Sequence, residues 1–202
     1  MNNQSTILST ALQLFASRGY DAAGVQEIAA KSGITKPTLY YYFGSKKGLL
    51  EAILTEYGGR LYEVIRKAAI YQGDLSASLE TLATGYFQFA QEHATFYRMQ
   101  LAMYFAPPDS EPNQIVRPMN EAQHRLIEEL FREAANHQAN MKGKHLGYAA
   151  TFIGTINTYI GFALNGYIEF NQTLAHQAVH QFLHGIYQNS NQEETEDERF
   201  AG

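Results

Sequence analysis

Residues 33–50, GITKPTLYYYFGSKKGLL, place three consecutive tyrosines behind a proline and between lysines. On a helix that begins after Thr35, Leu39 and Phe43 lie about 40° apart and mark the buried side. A helix that only filled a core would carry apolar residues three and four positions apart, not three phenols in succession. The outer side of this helix is therefore a candidate binding surface.

That outer side combines an apolar ring, phenols, hydroxyls and a cation, which suit the major groove of DNA. Proline and aromatic rings can contact thymine methyl groups, and hydroxyls can reach phosphates or base edges. Pro37 and Tyr41 point most directly away from the buried side. The predicted contact residues are Thr35, Lys36, Pro37, Thr38, Tyr40, Tyr41 and Tyr42. Alternatively, individual tyrosines pack against the rest of the protein, since tyrosine is commonly half-buried.

The charge distribution agrees with a DNA-binding head. Residues 1–48 carry five Lys or Arg against two Asp or Glu, a net +3, whereas the other 154 residues carry ten against 18, a net −8. A basic head on an acidic body is expected when one end of a protein meets a polyanion.

Helical periodicity accounts for the chain as far as residue 188, and no β-alternation of useful length occurs. In the head, a helix from Ser5 to Arg18 is followed by a short one from Val25 to Lys31. A turn at Ser32-Gly33 then leads to the tyrosine helix, which Thr35 caps. This layout matches a helix-turn-helix. The predicted later helices are 45–69, interrupted at Gly58-Gly59, then 76–92, 93–105, 113–136, 146–170 and 173–188. The predicted fold class is all-α.

The head also resembles the TetR-type transcriptional regulators, over residues from Ile7 to about Ile53. The matching pieces are Leu14-Phe15, Gly19-Tyr20, Val25-x-x-Ile28-Ala29, Gly33-Ile34, Thr38-Leu39-Tyr40, Tyr42-Phe43 and Ser45-Lys46. The resemblance implies that the second and third helices read an operator and that Lys46 contacts a phosphate. One departure is Ala23-Gly24, where the family usually has Thr or Ser capping the second helix.

The resemblance implies a three-helix DNA-binding domain at 1–46 and a larger helical ligand-binding and dimerisation domain at 47–188. Residues 189–202 carry five acids and one arginine, a composition that predicts a solvated, flexible acidic tail. The implied function is that of a homodimeric, cytoplasmic repressor, released from a palindromic double-stranded DNA operator by a small organic effector. A dimer is also expected because one head gives a small, weakly selective interface.

Two helices near the C-terminus carry the predicted dimer interface. Three glycines recur every seven residues in one helix, which allows a neighbouring helix to approach closely, and the next helix has an apolar face. The predicted interface residues are Gly147, Gly154, Gly161, Phe182, Leu183 and Ile186. The alternative is that both faces belong to the core of one subunit.

Aromatic and methionine side chains of the middle helices form a pool of predicted effector-binding residues. They are Tyr86, Phe89, Phe96, Tyr97, Met99, Met103, Tyr104, Phe131, Phe152, Asn157 and Tyr159. Many hydroxyls among few charges would suit a moderately apolar organic ligand with a hydrogen-bonding group. The alternative is that this stripe is plain core.

Two further features have competing interpretations. His176, His180 and His184 have the spacing of metal ligands but lie opposite the apolar face among glutamines, so we expect no metal and no cofactor. Gly58-Gly59 is explained either by close packing against a neighbouring helix or by a flexible joint between head and body.

Other function classes have little support. We find no nucleophile elbow, phosphate-binding glycine loop, paired carboxylates or His-Glu metal motif, so an enzyme is not expected. The sequence contains no run of 18 apolar residues, so no membrane-spanning helix is predicted, and the absence of cysteine excludes disulfides. The alternative function is a helical protein-binding or scaffold module whose basic head docks a protein partner.

Overall fold

The computed structural model describes residues 3–171 and 173–185, and every regular element within them is helical. The α-helices are α1 (Asn3–Arg18), α2 (Val25–Lys31), α3 (Lys36–Phe43), α4 (Lys46–Ile53), α5 (Gly59–Ala68), α6 (Leu75–Glu92), α7 (Ala94–Tyr104), α8 (Glu111–His137), α9 (His145–Leu164) and α10 (Leu174–His184). A π-helical turn, Leu54–Gly58, joins α4 to α5, and a 3-10 turn, Ala139–Met141, precedes α9. The predicted all-α class is confirmed. Within the described ranges, no helix has both the length and the apolar content that crossing a bilayer requires.

The head consists of α1 to α3 packed around one apolar core and closed by α4. Ile7, Phe15, Ile28, Leu39 and Leu50 are all at most 1% exposed. Each comes from a different helix or a different turn of α1, so the core needs all four helices. α1 also packs against α7, which joins the head to the body.

The body is a bundle of α5 to α10 in which the long α8 packs against α5, α7 and α9. α6 packs between α5 and α10. The rings of Phe131, Phe152 and Phe182 lie 5.3–6.2 Å apart and link α8, α9 and α10 through edge-on and tilted contacts. Such pairs add to the burial of apolar area and fix how the helices are seated against each other.

The two adjacent glycines between head and body lie in different surroundings. The chain remains helical through both, from α4 through the π-helical turn into α5. A Cβ on Gly58 would overlap the Met119 sulfur of α8, whereas a Cβ on Gly59 would meet nothing within 4 Å. Close packing against Met119 therefore explains the glycine at position 58. It does not explain Gly59, for which a flexible joint stays a prediction.

The helix predicted over 146–170 ends earlier, at Leu164. Gly166 adopts a φ of 77°, and the N–H groups of Gly166 and Tyr167 donate to the carbonyls of Ala163 and Phe162. A left-handed glycine with these hydrogen bonds terminates a helix, because it satisfies the last free carbonyls. The predicted helix over 173–188 is described as far as His184, and the predicted tail 189–202 lies outside the described residues.

Gly48, in the first turn of α4, is predicted to tolerate no side chain. A Cβ there would overlap the carbonyl oxygen of Phe43, a backbone atom that cannot move without distorting the turn between α3 and α4. We expect Gly48→Ala to lower the free energy of unfolding by about 1–3 kcal/mol. Gly59→Ala should instead raise it by up to about 1 kcal/mol, because alanine is the better helix former and the space is open. Urea denaturation followed by circular dichroism measures both, and equal effects would contradict the prediction.

Candidate DNA-binding interface

The turn between α2 and α3 sets the angle at which α3 leaves the head. Gly33 has a φ of 67°, a left-handed conformation that suits glycine. The N–H groups of Gly33 and Ile34 donate to the carbonyls of Ala30 and Ala29, which closes the end of α2. The Ile34 side chain packs against the core. These contacts make the turn compact, as a helix-turn-helix requires.

The start of α3 is capped as the sequence predicts. Thr35 has an extended backbone, and its Oγ1 accepts a hydrogen bond from the N–H of Thr38 at 3.3 Å. Thr35 Oγ1 also lies 2.8 Å from Thr38 Oγ1, so the two hydroxyls share a hydrogen bond. Pro37 lies in the first helical turn, where backbone N–H groups have no partner within the helix, so a proline costs no hydrogen bond there.

Burial divides α3 into an inner and an outer side. Leu39 is fully buried, and Tyr42 and Phe43 are half-buried against the core. On the outer side Pro37 is exposed and Tyr41 is 84% exposed. A large aromatic side chain that is exposed on a helix packed from the other side is typical of a binding surface.

Ring–ring and cation–ring contacts position the side chains on the outer side of α3. The ring of Tyr42 meets Tyr41 edge-on at 5.4 Å between centroids. The ammonium group of Lys36 lies 5.6 Å from the centroid of the Tyr40 ring, and Tyr40 is 39% exposed. The predicted contact residues Thr35, Lys36, Pro37, Thr38, Tyr40 and Tyr41 thus share one accessible surface, and Tyr42 borders it with only part of its ring available.

The start of α4 provides backbone donors beside this surface. Gly44 has a φ of 70° and reverses the chain, and Ser45 Oγ then accepts a hydrogen bond from the N–H of Gly48 at 2.9 Å. The N–H groups of Lys46 and Lys47 precede the first intrahelical hydrogen bond, so they are free to bind an anion. Lys47 is exposed, with its ammonium 3.8 Å from Glu51.

Lys46 is positioned by residues that the sequence did not single out. Its ammonium lies 4.3 Å from the centroid of the Tyr20 ring and donates to the carbonyl of Asp21 at 3.2 Å. Partial burial lowers the pKa of Lys46 despite the opposing effects of Asp21 and Glu111. Tyr20 was noted only as part of a motif, and no local pattern marks Glu111.

Tyr20 connects this lysine to the body. It is 4% exposed, its ring packs on Phe15 at 5.2 Å, and its hydroxyl donates to Glu111 Oε2 at 2.8 Å. Burial, followed by the hydrogen bond to the Glu111 carboxylate, raises the pKa of the Tyr20 phenol well above its ordinary value. Glu111 is the first residue of α8, so the Tyr20 side chain links the end of the head that carries Lys46 to α8, the longest helix described in the body.

The effector-binding pool divides into core and cavity residues. Tyr86, Phe89, Phe96, Tyr97, Met99, Met103, Phe131 and Phe152 are each at most 4% exposed, and Tyr159 is half-buried against that core. An open groove of about 670 Å³ lies between the end of α7 and α9. Of the pool, only Tyr104 and Asn157 line this groove. The structure thus favours plain core for most of the pool, and the effector role stays a prediction.

The predicted dimer residues also divide. A Cβ on Gly147, Gly154 or Gly161 would meet nothing within 4 Å, so among residues 3–171 and 173–185 no helix packs closely there. Phe182 and Leu183 instead pack against the core of their own subunit, which is the alternative stated for the α10 face. Ile186 lies outside the described residues.

The three histidines of α10 lie along one side of that helix. His176 Nδ1 is 3.0 Å from Glu80 Oε1, and the ring centroids of His180 and His184 are 4.7 Å apart. In the part of the chain that the structure describes, no group of three or more His, Cys, Asp or Glu side chains has the arrangement of a metal site.

Comparison with known proteins identifies the head. Residues 7–53 match the family model described as "Bacterial regulatory proteins, tetR family". The transcriptional activator FasR of Mycolicibacterium smegmatis is 34% identical over 93 residues, which are 46% of this chain and 42% of that protein. The transcriptional regulator BetI of Escherichia coli O157:H7 is 26% identical over 88% of this chain and 90% of that protein. The predicted resemblance is confirmed, and these relatives are DNA-binding transcriptional regulators, not enzymes.

A solved structure extends the likeness to the body. The transcriptional regulator FadR from Bacillus subtilis, solved in complex with stearoyl-CoA, has a TM-score of 0.74, with 91% of this chain and 99% of that chain covered. The identity is 18%, so this comparison shows a shared fold.

Lys46 is predicted to contribute to the salt dependence of DNA binding. If its ammonium neutralises a phosphate, Lys46→Ala should reduce the slope of log affinity against log salt by about 1 for each bound chain. The matched control is Lys67→Ala on α5, an exposed lysine of the body, which should leave the slope unchanged. Fluorescence anisotropy with labelled duplex DNA across a salt series measures both. Equal slopes for Lys46→Ala and the parent protein would exclude the phosphate contact.

Proposed function

We propose that this protein, whose residues 7–53 match the tetR family of bacterial regulatory proteins, is a homodimeric, cytoplasmic repressor. It binds a palindromic operator in double-stranded DNA and is released from it by a small organic effector. The observation that carries the proposal is the outer side of α3, where Pro37 and Tyr41 stand exposed on a helix fixed from behind by Leu39.

The geometry supports a division of labour between α3 and α4. The rings of Pro37, Tyr40 and Tyr41 on α3 are exposed, where they can meet thymine methyl groups and base edges in the major groove. The free N–H groups and ammoniums at the start of α4 suit the adjacent phosphates. Base contacts would then provide selectivity and phosphate contacts would provide affinity and register.

The open glycine stripe of α9 supports a dimer. Gly147 and Gly154 are exposed, Gly161 is half-buried, and none has a close neighbour among the residues of its own subunit that the structure describes. A stripe without side chains lets a second copy of the helix approach closely around a twofold axis. Two heads related by that axis would read the two halves of a palindrome.

The groove beside α7 supports an effector site. It has the size of typical ligand pockets and its walls are mainly apolar, including Leu101, Phe105, Ile153 and Phe162. The stearoyl-CoA bound to the Bacillus subtilis FadR supports an organic ligand within this fold. Since Gly154 and Gly161 also line the groove, a partner subunit on the glycine stripe would cover it.

The end of α7 offers a route from the groove to the head. Ala102 lines both the groove and a smaller cleft whose walls include Tyr20 and Pro112. The side-chain amide of Asn113 donates to three carbonyls at the end of α7, those of Met103, Tyr104 and Ala106. A ligand that displaces this end would therefore act on the Tyr20–Glu111 hydrogen bond. Such a ligand releases the protein from DNA if it binds more tightly to a conformation in which the two heads no longer fit successive major grooves.

Tyr41 is predicted to determine base preference without stabilising the fold. Selection from a random duplex pool should yield a palindrome with the parent protein. Tyr41→Ala should flatten the preference at one or more positions in each half, at a loss of about 1–3 kcal/mol per affected contact. The midpoint of thermal unfolding should stay unchanged, because the side chain is 84% exposed.

Leu39→Ala provides the contrast, since loss of this buried side chain should destabilise the head by about 2–5 kcal/mol. Binding that weakens little with salt and shows no base preference would favour the alternative, a head that docks a protein partner.

Gly147 is predicted to lie in the dimer interface. Gly147→Arg should shift the protein from dimer to monomer in sedimentation experiments and weaken operator binding, because a long charged side chain would stand between the two α9 helices. Gly59→Arg is the matched control for the sedimentation experiment and should stay dimeric, since it places the same side chain on another open helical glycine. A Gly147→Arg protein that remains dimeric would place the interface elsewhere.

A further inference from the structure

Three polar side chains meet at the inner end of the groove between α7 and α9. Tyr104, His124 and Asn157 line the groove and also a cavity of about 10 Å³ behind it, so they stand where the groove meets the core. That cavity is too small for a ligand, whereas the groove, at about 670 Å³, has the size of a ligand site. A ligand in the groove can therefore bring a polar group to these three side chains.

The Asn157 amide is oriented by Tyr97. The Tyr97 side chain is fully buried, and its hydroxyl donates to Asn157 Oδ1 at 2.8 Å. Burial raises the pKa of this phenol well above its ordinary value, so the hydroxyl keeps the proton that it donates. If the amide were turned round, that proton would have no acceptor, because an amide nitrogen only donates. Asn157 therefore presents Nδ2, a donor without a hydrogen-bond partner among the described residues.

The other two polar groups at the inner end are available as well. Neither the Tyr104 hydroxyl nor the His124 ring has a hydrogen-bond partner within the described part of the chain. Burial lowers the pKa of His124, against a smaller opposing effect of Glu128, so the imidazole is neutral at pH 7. Both groups can donate one hydrogen bond in this form. The inner end thus offers one fixed donor, Asn157 Nδ2, beside two further donors.

The groove disfavours a charged ligand. Among the described residues that line it there is no Asp, Glu, Lys or Arg. Arg98 does not line it, and its guanidinium donates to Asn165 Oδ1 at 3.0 Å and to the carbonyl of Leu164. A carboxylate or an ammonium placed in the groove would lose its hydration without gaining a counter-charge. The charge balance therefore favours a neutral ligand.

The donors and the walls together specify the ligand class. Donors need an acceptor, and a ketone or ester carbonyl is an acceptor that carries neither a charge nor a proton of its own. The walls run from Leu101 and Ile153 at the inner end to Phe162 and Tyr167, which are 51% and 76% exposed, at the opening. Such walls suit a hydrocarbon or aromatic body.

We propose that the groove binds a neutral ketone or ester with an apolar body, and that Asn157 Nδ2 donates to its carbonyl oxygen. Tyr97 is the positioning residue, because its hydroxyl fixes which end of the Asn157 amide is free. This ligand class rests on the proposed function in one respect, because it is the class of the effector.

Four probes with nine carbons each test the recognition of the polar group: 2-nonanone, methyl octanoate, nonanoate and nonylammonium. Titration calorimetry on the full chain at pH 8, where His124 is neutral, should give saturable binding of the ketone and the ester. Their affinities should exceed those of the two ions by about tenfold or more. Absence of 2-nonanone binding at about 1 mM, or nonanoate binding as tightly, would overturn the proposal.

Variants of Asn157 and its neighbour test the hydrogen bond. Asn157→Leu removes the donor and should weaken 2-nonanone about tenfold. Thr158→Val is the matched control on the same wall and should leave the affinity unchanged, because the Thr158 hydroxyl already donates to the Gly154 carbonyl at 2.9 Å. An Asn157→Leu protein that binds the ketone as tightly as the parent protein does would contradict the assignment.

Tyr97→Phe tests the positioning role. It leaves the Asn157 amide free to turn, so 2-nonanone should bind about two- to fivefold more weakly. Added to Asn157→Leu it should have no further effect on this affinity, because the group that it positions is gone. The double variant also removes the unpaired Tyr97 hydroxyl that Asn157→Leu leaves buried, so binding can be measured even if the single variant folds poorly. Parent-like ketone affinity in the double variant would reject the site.

Operator release separates the ligand class from the proposed function. The ketone 2-nonanone should displace labelled operator from the parent protein and not from Asn157→Leu at the same concentration. If it binds with the predicted variant pattern while the operator stays bound, the carbonyl site is supported and the effector response is rejected. If no operator is bound at all, the DNA-binding proposal is rejected, and calorimetry still decides the carbonyl site.

Discussion

The buried side chain of Leu39 is the contact on which the candidate interface depends. It ties α3 to the core of the head, and the Thr35 cap and the glycine turns at Gly33 and Gly44 fix where the helix begins and ends. With one side held in this way, the opposite side of so short a helix has to face solvent. Tyr41 is thus exposed because Leu39, on the opposite side of α3, is packed in the core.

The head and body are connected by a few specific contacts as well as by the packing of α1 on α7. Tyr20 lies between them, with its ring under Lys46 and its hydroxyl on Glu111. The same region borders the end of α7, which Asn113 holds to α8 through three carbonyls. Because packed helices move as units, a displacement of this end would reach the Tyr20–Glu111 contact through α8.

Local sequence features predicted the head well and the cavities poorly. The bounds of α2 and the Thr35 cap follow from interactions within four residues, so the sequence contains the needed information. The groove is different, because it depends on where α9 ends and on how α7, α8 and α9 are spaced. An aromatic residue at helical spacing, such as Phe96, looks the same whether it faces a ligand or a neighbouring helix, and here it is core. The Tyr20–Glu111 hydrogen bond spans 91 positions and has no local signal at all.

The shared wall at Ala102 carries a consequence for how such a protein would respond in a cell. Coupling between two binding sites is reciprocal: a ligand that weakens the hold on DNA by some factor is itself held more weakly, by the same factor, when DNA is bound. Copies away from the operator would then fill with ligand first and act as a buffer. The threshold for induction would rise with the number of protein copies, so expression level alone could tune the sensitivity of the switch.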